Sequence, residues 1–151
     1  MPPAYRADQI GSLIRPPALK RAREAFRTGQ IDRGQLRGCE DACILEALAH
    51  LQQAGMSIFT DGELRRDAWQ TDLSEAVEGF AAEYPVVETR MPDGTVRKLE
   101  THTKTIVDKL RPVRRITAGF LPFLLKHAPG PVKVTMPSPV LAARGGFQKG
   151  I

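Results

Sequence analysis

Met56-Ser57-Ile58-Phe59-Thr60-Asp61-Gly62-Glu63 is the stretch on which the reading of this sequence turns: a short apolar run that stops at two carboxylates around a glycine. So short a run between turn signals suits a buried strand and leaves no room for a helix. The residues before it read as a helix from about Arg33 to Gln53. Asp32 is its predicted N-cap, Leu36, Cys43, Ala47 and Leu51 recur at helical spacing, and Gly55 provides the stop. Working outward, an earlier helix opens at Pro16-Pro17, runs to about Thr28 and is closed by Gly29. Before it, an extended segment from about Tyr5 ends in Ile10-Gly11-Ser12. Near the other end, Pro131-Val132-Lys133-Val134-Thr135-Met136 forms a second short apolar run, ended by Pro137-Ser138-Pro139.

Between the two apolar runs the pattern predicts a helix from about Asp67 to Glu78. A β-hairpin then turns at Pro92-Asp93-Gly94, inserted at about 84–103, and leads into a strand near Lys104 to Leu110. Thr117 is placed to cap a further helix carrying Phe120, Leu124 and Leu125, with Pro122 blurring its start. Strands alternating with helices argue for parallel strands joined by helical crossovers, and so for an α/β class. Ligands in parallel α/β folds bind beyond the C-terminal ends of the strands, because those ends and their loops share one crevice or barrel mouth. Gly11-Ser12, Asp61-Gly62-Glu63 and Pro137-Ser138 are therefore where a site is expected.

The composition bounds the answer. With 151 residues, 42% of them hydrophobic and 26% charged, the chain has enough apolar surface for one core and lacks the signature of disorder. No apolar run reaches the roughly 18 residues of a membrane helix, and the start has no signal-peptide pattern, so a soluble cytoplasmic protein without a membrane partner is expected. The net charge of +5 is spread among acidic neighbours, and only Arg111 to Arg115 is locally basic. Without a continuous basic stripe, no nucleic-acid partner is expected.

Individual residues leave alternatives open. Gly11-Ser12 offers backbone N–H groups and a hydroxyl to an anion, yet such a pair also serves as a plain turn. Asp61 and Glu63 suit a substrate ammonium, acid–base work or a metal; equally, Glu63 suits a loop salt bridge with Arg65 or Arg66. His102 reads either as a pocket-lining residue or as a solvent-facing strand histidine. Trp69 reads as a packing residue or as part of a pocket wall. His50 is a helix-face residue, and His127 complements a helix dipole. Cys39 and Cys43, one helical turn apart, read as small core residues, since no His or further Cys stands nearby to complete a tetrahedral metal set.

Four motifs together carry a resemblance. Ile10-Gly11-Ser12 with Arg15-Pro16, Gly29-x-Ile31, Thr60-Asp61-Gly62-Glu63 with Arg66, and Pro131-Val132-Lys133-Val134 with Pro137-Ser138-Pro139 stand in the order found in cobalamin-independent methionine synthases. The similarity is to the C-terminal catalytic barrel and its shorter single-barrel relatives, over about residues 5 to 141.

The resemblance implies a (β/α)8 TIM barrel that transfers a methyl group from 5-methyltetrahydrofolate, typically polyglutamylated, to homocysteine. It implies that Ile10, Gly11 and Ser12 bind the carboxylate end of the amino acid and that Glu63 binds its ammonium. It also implies a zinc ion that activates the thiol, held in the family by a His, two Cys and a Glu on later strands. A complete barrel takes roughly 250 residues. Residues 1–151 are thus expected to be a single partial domain, the N-terminal half of the barrel with the hairpin inserted, without metal ligands and inactive alone. The alternative is a non-catalytic half-barrel that binds or self-associates through an exposed sheet edge.

Overall fold

The computed structural model describes residues 9–68, 71–101, 104–138 and 140. In chain order its elements are helices α1 (Pro17–Arg27), α2 (Arg33–Gln53) and α3 (Thr71–Ala76), strands β1 (Val77–Phe80), β2 (Val86–Arg90), β3 (Val96–Glu100) and β4 (Ile106–Pro112), a short 3-10 helix (Ile116–Gly119), and α4 (Leu121–His127). They fall into two compact units, Met1–Arg65 with Phe120–Thr135, and Arg66–Gly119 with Met136–Ile151.

The first unit is built on α1, α2 and α4. Asp32 caps α2 in a reciprocal box: Gln35 N–H donates to Asp32 Oδ1 at 2.8 Å, and Asp32 N–H donates to Gln35 Oε1 at 2.9 Å. Past the helix end, Met56 N–H donates to Leu51 O and Gly55 N–H to Gln52 O, both at 3.0 Å. Gln30 and Gly29 close α1 in the same two-bond pattern, onto Ala25 O and Phe26 O. The inner face of α2 (Leu36, Cys43, Ile44, Ala47, Leu48, Leu51) packs with Leu19, Phe59, Leu64 and Leu124 into one buried cluster. Each large apolar side chain fully buried there contributes roughly 1.5–3 kcal/mol.

The strands expected at 56–60 and 131–136 meet in a single parallel bridge, Phe59 with Val132. Phe59 N–H donates to Pro131 O at 2.9 Å and Lys133 N–H to Phe59 O at 2.8 Å. The contact has the parallel sense a helical crossover requires. It stays short because Pro131 and Pro137 bound the second run and neither has an N–H to add to a ladder.

The second unit differs from the expectation at Thr117, which lies within the 3-10 helix instead of capping α4, and in two further respects. The helix expected to reach Glu78 ends at Ala76, and β1 begins at the β-branched Val77. The strand expected near 104–110 pairs antiparallel with β1, Val77 opposite Pro112 and Phe80 opposite Ile106, instead of joining a parallel sheet. Only a hairpin separates β1 from β4, whereas a parallel return needs a crossover of a dozen or more residues. Ala81 N–H to Thr105 O and Thr101 N–H to Pro85 O, both 2.8 Å, carry the pairing on toward the β2–β3 hairpin. That hairpin runs in register from Val86 opposite Glu100 to Arg90 opposite Val96. Its turn is where Pro92-Asp93-Gly94 places it: Gly94 N–H donates to Met91 O at 2.9 Å, and Asp93 Oδ1 accepts from Thr95 N–H at 2.9 Å. The Thr95 hydrogen bonds hold the Asp93 carboxyl below its usual range. Arg66 and Asp72 form a buried ion pair through Nε and Oδ2, and burial raises the Asp72 carboxyl in spite of that guanidinium.

The protein is thus a mixed α/β chain. Among the described residues no helix is long and apolar enough to cross a membrane.

Candidate functional site

The site is centred on the loop that follows Phe59. Thr60, Asp61, Gly62, Glu63 and Leu64 are all buried. Gly62 and Glu63 both have left-handed backbone, φ +65° and +56°, so the chain reverses tightly at the second carboxylate. For a residue with a Cβ that conformation costs roughly 1–2 kcal/mol, and it persists only where neighbours fix it. They do so here. Gly62 N–H donates to Thr60 Oγ1 at 3.2 Å, Glu63 N–H to Asp61 Oδ1 at 3.0 Å, and Leu64 N–H to Asp61 O at 3.3 Å. Leu64 is an anchor in the core at 1% exposure. Gly62 is required twice over, since a Cβ there would also stand 2.8 Å from Leu13 Cδ1.

Two other segments close on the Glu63 carboxylate. Ser12 Oγ donates to Oε2 at 3.0 Å, and Thr135 Oγ1 donates to Oε1 at 2.8 Å. Leu13 N–H donates to Gly62 O at 3.0 Å, stitching the Gly-Ser segment to the acidic loop, and Lys133 Nζ donates to Gln9 O. Residues 9–13, 60–65 and 133–135 therefore converge beyond Phe59 and Val132, on the C-terminal side of the parallel bridge.

The structure brings Ser12, Asp61 and Glu63 together from positions up to 51 residues apart. Gly11 has left-handed backbone, φ +76°, and accepts from Gln9 Nε2 at 2.6 Å. Ile10 is 89% exposed. His102 and Trp69 lie outside the described residues. Thr135 was missed by the sequence reading; its one signal is a hydroxyl at the end of an apolar run, just before Pro137. Arg23 was missed as well: its Nη2 donates to Leu64 O at 2.8 Å from α1.

The chemistry on offer is that of a carboxylate held in one plane by two hydroxyls. Such a group takes a cationic ligand head without having to reorganise. A metal is a poorer fit. Among the described residues no three His, Cys, Asp or Glu side chains are grouped to hold one. Cys43 is packed in the core, and burial together with neighbouring Cys39 pushes its thiol up to about 11, the opposite of what a metal-ligating thiolate needs. The zinc that the resemblance implies has no fitting ligand set among these residues.

No protein-family model matches the chain. It is 31% identical over 140 residues, 89% of its own length, to the uncharacterized protein YxjH of Bacillus subtilis. It is 31% identical over 71 residues, 47% of its length, to a methionine synthase of Sulfolobus acidocaldarius. The chain spans 35% and 21% of the lengths of these two relatives. Among solved structures, a putative vitamin-B12 independent methionine synthase from Listeria monocytogenes superposes with a TM-score of 0.69 at 26% identity, over 95% of this chain and 40% of that one.

Proposed function

Because the chain resembles the cobalamin-independent methionine synthases over part of their length, we propose that it forms the amino-acid-binding part of a methyltransferase of that kind. In this reading the chain is the N-terminal half of a (β/α)8 barrel in a cytoplasmic enzyme, with β2 and β3 as an inserted hairpin. The observation that carries it is the Ser12 Oγ to Glu63 Oε2 hydrogen bond, which sets the Gly-Ser turn beside the acidic loop.

The roles follow from charge. Homocysteine carries an ammonium and a carboxylate on one carbon. Glu63, its carboxylate planted by Ser12 and Thr135, pairs with the ammonium. The backbone of Ile10, Gly11 and Ser12 receives the carboxylate, with the left-handed Gly11 keeping a side chain out of the way. Gripped at both charges, the amino acid has its thiol arm aimed in one direction, which converts binding energy into orientation. The reaction is transfer of the methyl group of 5-methyltetrahydrofolate: the thiol gives up its proton, a sulfur–carbon bond forms as the nitrogen–carbon bond breaks, and the released nitrogen takes up a proton in turn. No step is assigned to zinc, because these residues do not fit it.

The test is calorimetry with homocysteine on the full-length protein. Glu63→Gln keeps the shape and removes the charge, a charge-assisted hydrogen bond of about 1.5–3 kcal/mol. Affinity is expected to fall at least about tenfold; unchanged affinity would contradict the assignment.

A second reading, a non-catalytic module that self-associates, is favoured by one feature. Val86, Val87, Val96 and Leu99 of the two-stranded β2–β3 sheet are between 42% and 59% exposed. Open edges and apolar side chains invite pairing with a second copy. Size-exclusion chromatography separates the readings, since a concentration-independent monomer would remove the second.

A further inference from the structure

Glu63 needs an external brace, and the structure contains one. Its left-handed backbone, φ +56°, is a conformation that L side chains rarely adopt, and the next two residues are each gripped by a different helix. From α1, Arg23 Nη2 donates to Leu64 O at 2.8 Å. From α2, Asp41 pairs with Arg65 through Oδ1, and the Arg65 guanidinium also lies over the Phe123 ring of α4, 4.7 Å from its centroid. The Arg65 side chain is 9% exposed, so its course is set by packing as well as by charge.

We propose that Arg23 and Asp41 are positioning residues for substrate recognition: from outside the pocket they clamp Leu64 and Arg65 and thereby hold the Glu63 carboxylate where it meets the ammonium of an amino acid. Neither residue touches the ligand. The inference rests on the assignment of Glu63 above and extends it to two helix residues that the pocket alone would not single out. A backbone carbonyl and a guanidinium just after a left-handed residue are the two handles that resist its relaxation to an ordinary right-handed or extended conformation.

The experiment compares homocysteine with 4-mercaptobutanoate, the same molecule without its ammonium, by calorimetry on the full-length protein. The readout is the ratio of the two affinities. General loosening of the fold weakens both ligands together and leaves the ratio alone; displacement of Glu63 lowers it. Arg23→Met is expected to lower the ratio about five- to tenfold, and Arg23→Lys, which keeps a donor, to restore much of it. Asp41→Asn, a change at a partly exposed helix position that α2 should tolerate, is expected to lower it about two- to threefold.

Glu63→Gln is measured alongside. If Glu63→Gln collapses the ratio while Arg23→Met and Asp41→Asn leave it at the wild-type value, the clamp is overturned and the pocket stands. If Glu63→Gln leaves the ratio unchanged, the pocket assignment falls and the clamp with it.

Discussion

The two units of this chain are stabilised by different physics. In the first, ten apolar side chains form a continuous buried cluster, and a strained carboxylate loop is tied onto it. In the second, the described buried residues are Ala76 and the polar Arg66, Thr71 and Asp72, while strand after strand exposes valine and leucine. One unit is held by removal of apolar surface from water, the other by hairpin hydrogen bonds and one buried ion pair. The strained Glu63 lies in the first unit, where fixed neighbours over-determine its conformation.

The contrast is most easily broken by truncating side chains. Ile44→Ala, at a position 1% exposed in the core of the first unit, is expected to cost about 2–5 kcal/mol. Leu99→Ala, 42% exposed on β3, should cost less than about 1 kcal/mol. Urea unfolding with a common slope measures both, and equal losses would erase the distinction.

Two glycines sharpen it. Gly62 and Gly94 are both left-handed, φ +65° and +84°, but a Cβ on Gly62 meets Leu13 at 2.8 Å while one on Gly94 meets open space. Gly94→Ala should cost about 1–2 kcal/mol for the backbone alone. Gly62→Ala adds crowding and should cost about 2–4 kcal/mol. Thermal unfolding of the two variants gives the comparison directly.

The smallest effect concerns Glu40 on α2. Burial raises its carboxyl above the usual 4.5, and this outweighs Arg37, Arg23, Arg65 and Arg33, which all pull it down. An acid whose folded value is raised favours folding while protonated. Its contribution is full below the unfolded value and is lost as pH rises through the folded one. The stability difference between wild type and Glu40→Gln should therefore shift in favour of wild type as pH falls from neutral to about 4. A pH-independent difference would contradict this.

How much of this was legible follows from how local each signal is. The Asp32 N-cap of α2, the Gly29 and Gly55 stops and the Asp93-Gly94 turn are made within a few residues, and each stands where the sequence placed it. The end of α3 was misplaced because Val77 is compatible with a helix until β4, some thirty positions later, offers it a partner. The antiparallel return of β4 has the same origin. In the site, Ser12, Asp61 and Glu63 were visible as polar residues ending apolar or extended runs. Thr135 reaches Glu63 across 72 positions and Arg23 reaches Leu64 across 41, and no local pattern announces either. The roles proposed for these residues, which spacing could not supply, rest on the resemblance.

In the function proposed for this chain, the Glu63 carboxylate, planted by Ser12 and Thr135, recognises an amino acid's ammonium. Its most direct test is the affinity of the full-length wild-type protein for homocysteine set against 4-mercaptobutanoate at neutral pH. A preference for homocysteine of at least about tenfold is expected. Equal affinity for the two ligands would contradict it.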